Sequence, residues 1–192
     1  MMKEQLLATF QNLGVLQTGH FRLTSGLHSE QYMQCAKLFE HPARAAEIVA
    51  NLIPKLPQDI ETIIAPAIGG ITVGYELARL LGCRFLFAER QDGVMTFRRG
   101  FRLQPGERVL AVEDVVTTGG SVREVVELAR DCGAEIAGVA ALVDRSQGRA
   151  DFDVPFYSLL SMEIKVYAPE SCPLCAQGTP LQSPGSRKTN LR

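Results

Sequence analysis

Two adjacent carboxylates followed by a run of hydroxyls and glycines carry the most chemistry in this 192-residue chain. The stretch reads Arg108-Val109-Leu110-Ala111-Val112-Glu113-Asp114-Val115-Val116-Thr117-Thr118-Gly119-Gly120-Ser121. Its apolar start predicts a strand that delivers Glu113 and Asp114 at its carboxyl end, then a loop, then a helix opening near Gly120. Glycines let the backbone approach a ligand closely, and the unpaired amides of a helix start point at an anion. Thr117, Thr118 and Ser121 add hydroxyl donors. Val115 to Ser121 therefore suit a phosphate monoester. Glu113 and Asp114, beside that cradle, suit the vicinal hydroxyls of a sugar, because carboxylate oxygens accept hydrogen bonds. A helix-capping loop behind an exposed acidic pair would use some of these residue types, but the whole string is more specific than that. The spacing is neither that of a Walker A loop nor that of a dinucleotide fingerprint.

A second strand-to-helix turn, Ala65-Pro66-Ala67-Ile68-Gly69-Gly70, offers the amides around Ile68 and Gly69 to another anion. Alone it reads equally well as a plain glycine-rich turn. Two such turns on parallel strands match a ligand with phosphates at both ends. Arg145 follows a further apolar strand, at the edge where open α/β sheets bind ligands, and a guanidinium there can hold a carbonyl or carboxylate. Its bland alternative is a surface ion pair with Asp144. Arg90, Arg98 and Arg99 lie in or beside a basic stretch that could clamp a pyrophosphate, or could simply be solvated. Cys172-Pro173-Leu174-Cys175 has half the spacing of a zinc knuckle. A structural zinc needs four ligands, no second pair lies nearby, and His20, His28 and His41 are far off in sequence, so a reduced pair in a tail is expected, with a metal site shared across a dimer as the alternative.

The elements that must position these groups follow from periodicity. Apolar residues at Leu6, Leu7, Phe10 and Leu13 predict an amphipathic helix, and Pro42 opens another. Residues 20–36 alternate around Ser25-Gly26 and predict a short hairpin or hood. Short apolar strands at 62–65, 84–88, 108–112 and 136–143 come next, with helices at 71–81 and 120–132. Strands apolar on both faces that alternate with helices mean a parallel sheet covered on both sides, an α/β fold. Residues 91–107 break this rhythm and read as a mobile hairpin loop. Residues 169–192 are polar, rich in Pro, Gly and Ser, and read as an extended tail.

The net charge of -1 argues against a broadly basic surface that grips nucleic acid. No apolar run reaches the roughly 18 residues needed to span a membrane, and Met1-Met2-Lys3-Glu4-Gln5 does not read as a signal peptide, so a cytoplasmic protein is expected. Five cysteines, an odd number, argue against a disulfide framework; Cys83 and Cys132 read as small hydrophobes at helix ends.

The string from Arg108 to Ser121 resembles the phosphoribosyl pyrophosphate signature of type I phosphoribosyltransferases. Over residues 14–187 the chain is similar to the orotate phosphoribosyltransferase family, in its Thermus-type variety. Phe21-Arg22-Leu23-Thr24-Ser25-Gly26, His28-Ser29-Glu30-Gln31-Tyr32, Ala65 to Gly70 and Asp144-Arg145-Ser146 carry the likeness. The resemblance implies one domain over 1–168, with a hood at about 14–36, a mobile loop at about 90–105 and a polar tail beyond. It implies Mg²⁺-dependent transfer from phosphoribosyl pyrophosphate to orotate, giving orotidine 5′-monophosphate and pyrophosphate, with Mg²⁺ held mainly by substrate and water. Glu113 and Asp114 would hold the ribose. Val115, Val116, Thr117, Thr118, Gly119, Gly120, Ser121, Ile68 and Gly69 would bind the phosphates, and Thr117, Arg145 and Tyr32 would touch orotate. Arg90, Arg98 and Arg99 would come from a neighbouring subunit, implying a homodimer. The chain departs from better-known members at Thr24, where many carry lysine, and across Glu89-Arg90 and Thr96 to Arg99. A phosphoribosyltransferase for another base, or a non-catalytic nucleotide-binding regulator, would share the same fold.

Overall fold

The structure, a computed structural model, describes residues 2–184. Strand β1 (Leu16–Arg22) and strand β2 (His28–Met33) form an antiparallel hairpin after helix α1 (Lys3–Asn12). Helix α2 (Pro42–Ala50) leads to the main sheet, built from β3 (Thr62–Pro66), β4 (Arg84–Gln91), β5 (Val94–Phe97), β6 (Arg108–Val116), β7 (Glu135–Asp144) and β8 (Phe156–Ser161). Its strand order is β5-β4-β3-β6-β7-β8. All neighbours are parallel except β4 and β5, which form the hairpin expected between residues 91 and 107. Helix α3 (Gly69–Leu81) joins β3 to β4, and helix α4 (Gly120–Asp131) joins β6 to β7.

Parallel strands are covered on both faces, and successive side chains alternate between the two covers. On β3, Ile63 enters one core with α1, α2 and α3, and Ile64 enters the other with α4. Leu110 and Val112 against Val109 and Ala111 repeat the pattern on β6. These residues are fully buried, so each strand is fixed in register by two cores at once. Gly82, at φ 70°, closes α3 in the left-handed conformation a helix end favours, its amide bonding the Ala78 carbonyl. The result places the carboxyl ends of β3, β6 and β7 side by side.

At the amino-terminal edge, Glu107 is almost buried yet charged. It accepts hydrogen bonds from the Thr62 hydroxyl, from Arg84 Nη1 at 2.6 Å and from the Gln104 amide at 2.8 Å. Burial alone would raise its pKa, but these donors outweigh burial and hold it below the usual carboxylate range.

Two elements differ from expectation. Strand β8 arises after a loop in a region with no periodic signal, and pairs parallel to β7 without an intervening helix. The segment after residue 168, expected as an extended tail, is folded onto the hood as far as it is described. Strand β9 (Val166–Tyr167) joins β2, making a three-stranded sheet in the order β1-β2-β9. A turn at Pro169–Ser171 and the short helix α5 (Pro173–Ala176) follow, and Gln182 then exchanges backbone hydrogen bonds with His20 and Arg22 of β1. Residues 185–192 of the expected tail lie outside the described residues.

Candidate active site

Strand β6 delivers Glu113 and Asp114, half-buried, at its carboxyl end. Val115, Val116, Thr117, Thr118, Gly119, Gly120 and Ser121 line a small polar recess together with Glu113. Thr117, Thr118, Gly120 and Ser121 are exposed to it from the solvent side, whereas Gly119 and Val116 are buried. Gly119 stands at φ 76°, and a Cβ there would lie 2.7 Å from the ring of the buried Phe152. Only glycine fits that bend. No side chain caps α4, so its first amides remain available to an anion.

The second turn closes against the first. The Ala67 amide donates to the Ala88 carbonyl at 2.7 Å, the Ala67–Ile68 peptide is cis, and α3 starts at Gly69 with no side-chain cap. Ile68 projects outward, 84% exposed. A Cβ on Gly69 would stand 2.8 Å from Asp114 Oδ1, and one on Gly70 would stand 3.0 Å from the Val112 carbonyl oxygen. The two glycines therefore allow the second turn to lie directly on the acidic end of β6.

The carboxylates are electrostatically loaded. Burial, followed by the neighbouring charge of Asp114, raises the Glu113 pKa to about 8. Burial also raises Asp114, partly offset by hydrogen bonds from the Val115 amide, at 2.9 Å, and from its own. Among the described residues neither carboxylate has a basic partner within ion-pair distance. Such a pair suits hydroxyl donors and a hard cation.

Arg145 is tied to the recess through its amide, which donates to the Val116 carbonyl at 2.8 Å. Its Nε is buried without a hydrogen-bond partner, and burial lowers its pKa. Among the described residues no ion pair joins it to Asp144, whose carboxylate instead accepts the Ser146 amide at 2.8 Å. The Arg145 charge acts on Tyr32, whose hydroxyl is raised by burial and partly lowered by that charge. Both Asp114 and Arg145 act on Cys35, which burial holds well above its ordinary value. The Arg145 charge thus reaches both Tyr32 and Cys35, and that of Asp114 reaches Cys35, which links the hood electrostatically to the carboxyl end of the sheet. Cys35 had no sequence signal of its own, since its place depends on the hood folding over β6.

The basic hairpin points its charges elsewhere. Arg90 makes two 2.7 Å hydrogen bonds to Glu124 of α4. Arg98 and Arg99 share Glu89, and Arg99 also lies over the Phe87 ring, 5.6 Å from its centroid. The structure therefore brings Glu113, Asp114, Ile68, Gly69 and the residues from Val115 to Ser121 together, with Arg145 and Tyr32 beside them. It pairs Arg90, Arg98 and Arg99 with acidic residues of their own chain instead.

A parallel sheet with two uncapped helix starts, an acidic pair between them and a hood opposite defines a phosphoribosyltransferase. The family model of the phosphoribosyl transferase domain matches residues 34–175, and the chain belongs to that family. Within it, the full-length likeness is to orotate phosphoribosyltransferases. That of Caldanaerobacter subterraneus subsp. tengcongensis is 54% identical over 189 residues, covering 98% of this chain and all of the relative. That of Thermotoga maritima is 52% identical, with 97% and 98% covered. Among solved structures, orotate phosphoribosyltransferase from Aeropyrum pernix superposes with a TM-score of 0.70 at 23% identity, covering 82% of this chain and 93% of its own. Adenine phosphoribosyltransferase from Rhodothermus marinus reaches 0.67 at 19% identity, covering 83% and 99%. The fold is common to enzymes for different bases, whereas the full-length sequence likeness is to those named for orotate. Among the described residues no helix is long and apolar enough to cross a membrane.

Proposed function

We propose that this chain transfers the 5-phosphoribosyl group of phosphoribosyl pyrophosphate to orotate, giving orotidine 5′-monophosphate and pyrophosphate for pyrimidine nucleotide synthesis. The observation that carries the reading is the Glu113–Asp114 pair, seated between two uncapped helix starts and packed against Gly69. The amides and hydroxyls of Val115 to Ser121 hold the 5′-phosphate, and the turn at Ile68 and Gly69 takes the pyrophosphate. Glu113 and Asp114 accept hydrogen bonds from the ribose hydroxyls and lie near the anomeric carbon, where positive charge develops as its bond to pyrophosphate breaks. Arg145, with an unpaired buried Nε, holds orotate through a carbonyl or carboxylate, while Thr117 and Tyr32 border the ring. A ring nitrogen of orotate then forms the new bond to the anomeric carbon from the opposite face as the bond to pyrophosphate breaks, and its proton passes to the departing pyrophosphate or to water. Nothing in the site calls for a covalent nucleophile.

Mg²⁺ fits this donor set: the acidic pair lacks a basic partner, and the ion takes oxygen ligands from few protein groups. Bound with substrate, it would screen the pyrophosphate charge, with Glu113 and Asp114 beside it. Arg90, Arg98 and Arg99 belong to the same proposal as closing charges supplied to a neighbouring subunit's site in a cytoplasmic homodimer. In that state they exchange Glu124 and Glu89 for pyrophosphate oxygens.

A spectrophotometric assay tests the reading. Purified protein with phosphoribosyl pyrophosphate, Mg²⁺ and orotate should deplete the orotate absorbance, and Asp114→Asn should abolish the loss. Uracil, adenine and hypoxanthine run in parallel. Consumption of one of these bases and not orotate would overturn the base assignment. Binding of phosphoribosyl pyrophosphate without any transfer would overturn the catalytic one.

A further inference from the structure

Two histidines and two cysteines from three distant stretches of sequence meet behind the hood. His20 comes from β1, His28 from β2, and Cys172 and Cys175 flank the start of α5. One ligand atom from each lies within 4.8 Å of all the others. His20 Nε2 is 3.1 Å from His28 Nδ1, 3.5 Å from Cys172 Sγ and 3.7 Å from Cys175 Sγ. Cys175 Sγ is 3.3 Å from His28 Nδ1. With metal bonds of about 2.0–2.1 Å to nitrogen and about 2.3 Å to sulfur, a tetrahedral zinc sets two nitrogens about 3.3 Å apart and a nitrogen and sulfur about 3.6 Å apart. These four separations lie within about 0.3 Å of those values, and the remaining pairs fall within the same 4.8 Å cluster.

The surroundings fit the same reading. His20 Nδ1 lies 2.7 Å from the Thr179 carbonyl oxygen, which can only accept, so Nδ1 carries the proton and Nε2 presents its lone pair to the cluster. A backbone carbonyl that fixes the tautomer in this way is the usual support of a metal-bound histidine. Without a cation, His28 Nδ1 and two thiols crowd that one lone pair. A divalent ion with two thiolates satisfies all four groups. His20, His28 and Cys172 are buried, and Cys175 is exposed.

We propose that His20, His28, Cys172 and Cys175 form a structural zinc site that fastens the C-terminal segment to the hood. Two nitrogen and two sulfur donors in a tetrahedron select zinc among the common divalent ions, and four protein ligands leave no position open for chemistry. The ion closes a loop between β2 and α5 that spans most of the phosphoribosyltransferase core. It fixes the hairpin whose second strand also carries Tyr32, four residues beyond His28. The reduced pair expected from sequence becomes half of a complete ligand set, because β1 and β2 bring the missing half from about 150 residues away.

The test uses the full chain and reads metal rather than activity, so it stands apart from the assignment to orotate. Protein expressed with added zinc and purified without chelator should hold one zinc per chain by plasma mass spectrometry. Cys172→Ser/Cys175→Ser should lose it, and Cys175→Ser, at the exposed position, should lose most of it while keeping the native circular dichroism. Cobalt(II) added to stripped wild-type protein should give the intense visible bands of a tetrahedral ion, together with thiolate charge-transfer absorption. Hydrogen exchange should show faster exchange in residues 16–33 and 166–182 after stripping. Substoichiometric zinc that the cysteine variants retain would overturn the proposal. So would cobalt spectra of an octahedral ion.

Discussion

Gly69 lies against the carboxylate of Asp114, so closely that a single added carbon would stand 2.8 Å from Oδ1 and 3.0 Å from Oδ2. The contact joins the start of α3 to the end of β6, and with it the two strand-to-helix turns proposed to hold anions. Gly69→Ala should displace Asp114 by several tenths of an ångström. Misplacing a group that holds the reacting sugar is costly, and kcat/KM for phosphoribosyl pyrophosphate should fall about 10- to 100-fold. The backbone at Gly69 is helical, so alanine strains nothing else. The melting temperature should therefore stay close to that of the wild type. Steady-state kinetics beside a thermal melt separates the two effects, and a large fall in Tm with unchanged kcat/KM would contradict the argument.

Glu113 should make the free protein less stable as pH rises. Its carboxyl ionises at about 8 when folded against the ordinary 4.5, so between these values the folded chain holds a proton that the unfolded chain has released. Stability then declines from about pH 4.5 to about pH 8 and levels off above. Glu113→Gln removes that slope, and its urea midpoint should exceed that of the wild type at about pH 9 while matching it near pH 5. The same group gives catalysis the opposite trend. The ionised form accepts the ribose hydroxyls, so kcat/KM for phosphoribosyl pyrophosphate should climb towards pH 8 in the wild type.

Arg145 faces a narrower test. Its buried Nε has no partner, so a substrate oxygen supplies what the protein does not. Arg145→Lys keeps the charge but loses the planar fork, and KM for orotate should rise about 10-fold or more. KM for phosphoribosyl pyrophosphate should change little, because Arg145 reaches the recess only through its backbone amide. Equal changes in both constants would assign Arg145 to general packing.

The sheet was readable because its signals are local. The runs 62–65 and 108–112 are apolar on both faces for the reason that two cores cover them, and the glycines at 69 and 119 sit where the chain must bend against Asp114 and Phe152. Both strand-to-helix turns followed from that. Strand β8 stayed hidden because it needs no helix before it, and four of its six residues are only partly covered. Cys35 came under the charges of Asp114 and Arg145 through the hood's placement, and His20 met Cys172 across 152 residues of sequence. Contacts of that range depend on how the sheet and hood close, which no periodicity encodes. The arginines of the β4–β5 hairpin were legible as charges, but their partners Glu124 and Glu89 were not.

Glu107 supplies a stability test remote from the chemistry. It precedes β6 at the amino-terminal edge, about 23 Å from Asp114 along the strand at roughly 3.3 Å per residue. Thr62, Arg84 and the Gln104 amide all donate to it, and together they hold its pKa down against burial. Glu107→Ala leaves those donors unsatisfied, at a cost of about 2–3 kcal/mol, or about 4–12 °C in Tm for a chain of this size. Glu107→Gln can still accept from Thr62 and should cost less. A carboxyl with a lowered folded pKa stabilises fully above its unfolded value of 4.5 and loses that stabilisation as pH falls through the folded value. The difference in stability between wild type and Glu107→Gln should therefore be constant near neutrality and shrink in acid. kcat at a temperature where both are folded should be equal, and a Glu107→Gln variant with impaired kcat would mean that the two edges of the sheet are coupled through β6.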